Sequence, residues 1–132
     1  MSQNTELEYS QETTLDTGKP ILLIVEDNEE IQKYIVESFT DSFEVITANN
    51  GEEGTQQALS RIPDIVVSDI MMPVMDGITL CKQLKDDVRT SHIPIILLTA
   101  KDSLQDKEEG YEVGADSYLT KPFSASLLRS RI

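Results

Sequence analysis

Four short apolar runs in this 132-residue chain each deliver a reactive side chain at or just past their ends. "ILLIV" (21–25) runs into Glu26 and Asp27, and "DIVVSD" (64–69) closes on Asp69. "IPIILLTA" (93–100) carries Thr99 next to its end, and "ADSYLT" (115–120) runs into Lys121 and Pro122. An acid that closes an apolar strand is costly to bury bare, so a site that uses its charge is expected there. Three neighbouring carboxylates repel and raise one another's pKa unless a cation joins them. The donors are all oxygens, with no His or Cys nearby, so the hard ion Mg²⁺ is the expected occupant and zinc is not. Lys121 adds a point positive charge and Thr99 a hydroxyl donor, which together with the cation make a cage for a tetrahedral, multiply charged oxyanion. Asp69 then reads as a nucleophile toward a phosphoryl group.

These groups converge only if the strands run parallel, because ligands in open α/β sheets bind outside the carboxyl ends of the strands. The rest of the pattern supplies such a sheet, since apolar runs alternate with amphipathic segments. Asn28 stands at an N-cap before a helix over 28–38, with Ile31, Tyr34, Ile35 and Ser38 at helical spacing. A second strand spans 43–48, Asn50-Gly51 reads as a turn, and a helix over 52–61 presents Ala58 and Leu59 inward. Asp76-Gly77 reads as a turn before a third helix marked by Ile78, Cys81, Leu84 and Lys85. A fourth helix is expected over 103–113 and a last one from Ser124, its cap, to 132. That last helix stops after about two turns without Gly, Asn or Pro, as a cut through a longer polypeptide would leave it. Residues 1–20, polar and closing on Gly-Lys-Pro, have the composition of a disordered linker or tail, so the domain is expected over 21–132.

The length fits one domain. Acids outnumber bases 24 to 11 for a net charge of −13, which repels nucleic acid and anionic membrane alike. Residues 1–20 hold four of the acids and one of the bases, so the acidity belongs to the domain as well. A single cysteine, Cys81, excludes an internal disulfide and fits a reducing compartment. No apolar stretch has the length of a membrane span, and the N-terminus lacks the pattern of a signal peptide, so the expected location is the cytoplasm.

Taken jointly, "VEDN" after the first strand, "SDIMMPVMDG" after the third, "LLTA" ending the fourth and "YLTKPF" after the fifth are highly specific. In these motifs the chain resembles the receiver domain of two-component response regulators over residues 21–132. The resemblance implies a flavodoxin-like (βα)5 fold, a doubly wound five-stranded parallel sheet of order 2-1-3-4-5 with the last helix truncated. It implies that Asp69 is the phosphoacceptor, that Asp27 ligates Mg²⁺, and that Glu26 neighbours the metal directly or through water. Met71 is implied to contribute its backbone carbonyl, and Thr99 and Lys121 to contact the phosphoryl group. The Lys121-Pro122 bond is expected to be cis, and Tyr118 occupies the aromatic switch position, turning its ring into the space that Thr99 vacates. The side chains of Met71 and Lys101, two residues past Asp69 and Thr99, flank the path of the attacking water and tune phosphoryl lifetime. Glu26 departs mildly from the pattern, since many relatives carry Asp there.

The function implied is that of a phosphorelay switch, taking a phosphoryl group from a sensor-kinase phosphohistidine and catalysing only its own phosphorylation and dephosphorylation. A dimer or output-domain contact is expected through the face of helix four, strand five and helix five. Two contexts fit: a hybrid sensor histidine kinase with the receiver after its kinase domain, and a separate regulator with an output domain after residue 132. The rival function is a metal-dependent phosphohydrolase with an aspartyl nucleophile, but the leaving-group acid it wants two residues past Asp69 is Met71. A nucleotide or flavin binder would need a Gly- or hydroxyl-rich loop where "VEDNEE" stands. Individually each residue has a plainer use, as a cap, a helix-start acid or a solvated lysine, and only convergence promotes it. Cys81 is expected to pack in the core. His92, in a loop before Ile93-Pro94, is expected to be incidental, so the phosphoryl donor lies on another molecule or domain.

Overall fold

A computed structural model describes residues 18–100, 108 and 111–132. Strands β1 (Ile21–Val25), β2 (Glu44–Ala48), β3 (Ile65–Asp69), β4 (Ile95–Ala100) and β5 (Ser117–Lys121) form one sheet of order β2-β1-β3-β4-β5. Every pairing is parallel, so all five carboxyl ends share one edge. Helices α1 (Glu29–Phe39), α2 (Gly51–Arg61), α3 (Gly77–Asp86) and α4 (Ala125–Arg131) cover the two faces. The expected linker over 1–20 lies outside the described residues up to 17, as do Lys101 and most of the helix expected over 103–113.

The apolar runs of the central strands are continuous because both faces are buried, as parallel sheets require. Leu23, Val25, Val66, Ile95 and Leu97 face α2 and α3 and pack with Ala58, Leu80, Cys81 and Leu84. Leu22, Ile24, Val67, Ile96 and Leu98 point the other way, onto Ile35 and Phe39 of α1 and Leu128 of α4. The inward stripe of α1 is thus Ile31, Ile35 and Phe39; Tyr34, expected among the core-facing positions, is half exposed at the edge of that stripe.

Two expected turns are helix caps. The Asn50 side chain accepts from the Glu53 N–H at 2.9 Å, and Asp76 accepts from the Thr79 N–H at 2.8 Å, starting α2 and α3 respectively. Asn28 and Ser124 cap α1 and α4 as expected, accepting from the N–H groups of Ile31 and Leu127. Strand edges differ from expectation by a residue or two. β4 starts at Ile95, not Ile93, because the Ile93 N–H is tied back to the Thr90 carbonyl at 3.0 Å and Pro94 has no N–H to give. β5 is Ser117–Lys121, not 115–120, which places Lys121 opposite Ala100 as the strand's last residue.

Cys81 is fully buried against β-sheet side chains, and burial pushes its thiol up to about 11, with Lys85 opposing and Asp116 adding. Native Cys81 should therefore react with a thiol reagent at pH 8 only through unfolding, roughly a thousandfold or more below the rate in denaturant. Equal rates with and without denaturant would show that the core is not closed around it. No described helix is long and apolar enough to cross a membrane.

Candidate functional site

The carboxyl edge gathers Glu26, Asp27, Asp69, Thr99 and Lys121 of the residues singled out in the sequence. The Glu26 N–H donates to the Ala48 carbonyl at 3.0 Å, which extends β1 by one residue and turns its side chain inward, fully buried. The Glu26 carboxylate accepts from the Asn28 N–H at 3.2 Å, and the Gln32 amide, one turn into α1, donates to the Glu26 carbonyl at 2.9 Å. Asp27, next along, is exposed. Asp69 ends β3 opposite Leu98 and is 6% exposed. One oxygen from each of Glu26, Asp27 and Asp69 lies within 4.8 Å of the other two.

The Lys121 ammonium bridges this cluster, 3.2 Å from Glu26 Oε1 and 3.1 Å from Asp69 Oδ2. Burial alone would lower its pKa, but Asp69 and Glu26 together outweigh that and hold it above its ordinary value. Glu26 is pushed up to about 7, first by burial and then by the charge of Asp69, against the pull of Lys121. One ammonium therefore does not neutralise the carboxylates facing it. A hard divalent cation fits the remaining demand, because the donors are carboxylate oxygens and one of them, on Asp27, faces solvent.

On β4, the Thr99 hydroxyl is buried, and among the described residues its Oγ1 has no hydrogen-bond partner. A buried hydroxyl without a partner is costly, and it sits one strand away from Asp69. The Lys121-Pro122 peptide bond is cis. Met71 projects into solvent, 68% exposed, in the loop that follows Asp69. Tyr118 is already inside the fold, its ring edge-on to that of Tyr111 with centroids 4.8 Å apart. Lys101 lies outside the described residues. His92 is exposed before Ile93, beyond α3, and Cys81 belongs to the core.

Glycines set the position of Asp69. A Cβ on Gly77 would lie 2.2 Å from the Asp69 carbonyl oxygen, and the Gly77 N–H donates to the Ile70 carbonyl at 2.9 Å. Gly51 meets the same loop from α2, donating to the Met75 carbonyl at 2.9 Å. Gln32 and these glycines were not among the expected site residues. The place of Gln32 one turn into α1, the helix that starts just past Glu26 and Asp27, was a usable signal; the contacts between α2 and the loop after β3 leave none in the local sequence.

The model of the response regulator receiver domain family matches residues 22–132. A histidine kinase P4 of Formosa agariphila is 40% identical over 86% of this chain and 8% of its own length. The alkaline phosphatase synthesis transcriptional regulatory protein PhoP of Bacillus subtilis is 43% identical over 84% of this chain and 46% of its own. The chain thus spans less than half the length of these curated relatives. Among solved structures, the receiver domain of a sensor histidine kinase from Pseudomonas aeruginosa, with a magnesium ion coordinated in its active site cleft, superimposes with a TM-score of 0.79. It shares 27% identity, with 86% of this chain and 93% of that one covered. Fold, motifs and match over nearly the whole described chain agree: the chain belongs to the response regulator receiver domain family.

Proposed function

We propose that Asp69 is the phosphoacceptor of this receiver domain and that its donor is a phosphohistidine on a sensor kinase. The observation that carries the reading is the Asp69 carboxylate held 3.1 Å from Lys121, beside a buried Thr99 hydroxyl that has no partner among the described residues. Asp69 Oδ attacks phosphorus, the new O–P bond forms as the N–P bond breaks, and the histidine ring leaves and takes up a proton. Lys121 meets the charge on the equatorial oxygens, and Thr99 donates a hydrogen bond that it makes to no described residue. Glu26, Asp27, Asp69 and the Met71 carbonyl would hold Mg²⁺, which when bound would neutralise the charge that gathers there. The phosphohydrolase reading finds no support, since Met71, where its leaving-group acid would stand, has no proton to give and points into solvent.

The acyl phosphate adds about −1.5 to −2 charges next to Thr99. Drawn toward it, the hydroxyl loosens the packing behind it, where Tyr118 lies, and the change is read out on the face of β5 and α4 by an output domain or second copy. The Met71 side chain, with Lys101, governs access of water and so the lifetime of the switch. The domain works in the cytoplasm as part of a larger protein, a hybrid sensor kinase being the context favoured here.

The metal half of this reading is tested by a pair of variants. Asp27→Ala should weaken Mg²⁺ binding, followed by titration calorimetry, about tenfold or more. Asp76→Ala should leave that affinity unchanged and lower stability by about 1 kcal/mol, because Asp76 caps α3 and faces no carboxylate of the cluster. Equal losses of affinity in the two variants would defeat the single-pocket arrangement.

A further inference from the structure

Outside the acidic cluster, one side chain joins the two segments that bring its charges together. Tyr34 lies on α1, the helix that begins just after Glu26 and Asp27, and its half-exposed ring walls a groove with Pro122 and Phe123. Its phenolic oxygen accepts a hydrogen bond from the Ala125 N–H at 2.8 Å. Ala125 is the first residue of α4, and its N–H is one of those that a helix start leaves without an internal partner. The Ser124 hydroxyl serves the Leu127 N–H at 3.0 Å, so the two helix-start donors are taken by different side chains. The segment between Lys121 and Ala125 is therefore fastened at both ends, to the acidic cluster through the ammonium and to α1 through the phenol.

Resting on the receiver reading above, we propose that Tyr34 is a positioning residue for Lys121, its hydroxyl fixing the Pro122–Ser124 segment by way of the Ala125 N–H. The ammonium then meets the phosphoryl group at a set place without having to be ordered during the reaction. Tyr34 touches no reacting atom. The hydroxyl acts from one helix on the loop that follows the strand bearing the lysine.

Two substitutions separate the hydrogen bond from mere packing. Tyr34→Phe keeps the ring and removes the acceptor. Ala125→Pro removes the donor at the one helical position that takes proline well, and Ser124 before it is already extended, with φ −97° and ψ 155°. With Mg²⁺ and phosphoramidate as donor, each single variant should label roughly three- to tenfold more slowly than the unaltered chain, the worth of one hydrogen bond. The double variant should be no slower than either single one. In spectra recorded without metal or donor, Tyr34→Phe should shift the backbone amides of Lys121 and Phe123 and leave that of Val45, on the far strand β2, in place. Labelling of Tyr34→Phe at the unaltered rate, or a double variant as slow as the product of the two singles, overturns the proposal. So do unmoved Lys121 and Phe123 amides. If the unaltered chain takes no label at all, the receiver reading is what fails, and the amide shifts alone decide whether Tyr34 holds the segment.

Discussion

Asp69→Asn should abolish phosphoryl incorporation, lowering it by at least about 100-fold with either a phosphohistidine donor or phosphoramidate. The amide has the shape of the carboxylate but is a poor nucleophile, and it forms no acyl phosphate. The fold should survive, because the substitution removes a charge from a cluster in which Glu26 is already pushed up to about 7 by burial and by Asp69 itself. Labelled protein is assayed by its sensitivity to hydroxylamine, which cleaves acyl phosphates, and by mapping the modified peptide. A variant that still takes up a full equivalent on another acid would overturn the assignment of Asp69, whatever became of the metal site.

Gly77→Ala should have the second largest effect, and it acts through the backbone. The added Cβ would lie 2.2 Å from the Asp69 carbonyl oxygen and 3.0 Å from Ile70 Cα, and neither is the far end of a flexible side chain. The loop must shift, at roughly 2–4 kcal/mol of stability. Any shift carries Asp69 with it, so the folded fraction should also label poorly. Urea unfolding with an unchanged slope and a lowered midpoint is the expected result. A midpoint within error of the unaltered chain would show that the loop has room that the structure does not.

The order of elements was legible because the buried central strands β1, β3 and β4 leave nearly continuous apolar runs, and the partly buried edge strands β2 and β5 leave shorter mixed ones. Convergence of Glu26, Asp27, Asp69 and Lys121 followed from parallel topology alone, since that topology puts every strand's end on one edge. Caps were harder to separate from turns. Asn50-Gly51 and Asp76-Gly77 carry residue types that serve both, because both uses depend on a short side chain accepting a nearby backbone N–H. Glu53 was the available clue at the first, three residues past the cap, and its carboxylate does accept from the Asn49 N–H. The bond between Tyr34 and Ala125 spans 91 residues and had no local signature. Tyr34 fell among core positions by spacing alone, and it is exposed because Ile31, Ile35 and Phe39 already fill the face of α1 that meets the sheet. Lys121 was expected just past β5; pairing with Ala100 retains it in the strand and lends the ammonium the stiffness of the sheet.

The loop after Asp69 also has a mechanical meaning. It is anchored by Gly77 to Ile70, by Gly51 of α2 to Met75, by the Thr55 hydroxyl to the Met75 sulfur at 3.7 Å, and by Asp76 to the first turn of α3. Across the pocket, the Thr99 hydroxyl is tied to nothing among the described residues. A load applied at Asp69 therefore meets a braced loop on the α2–α3 side and, on the other, a well-paired strand β4 whose Thr99 hydroxyl can turn without breaking a hydrogen bond to any described residue. On the phosphoacceptor reading proposed above, a push on Asp69 is taken up first by rotation of that one side chain while the loop holds, because the bracing is in place before any phosphoryl group arrives.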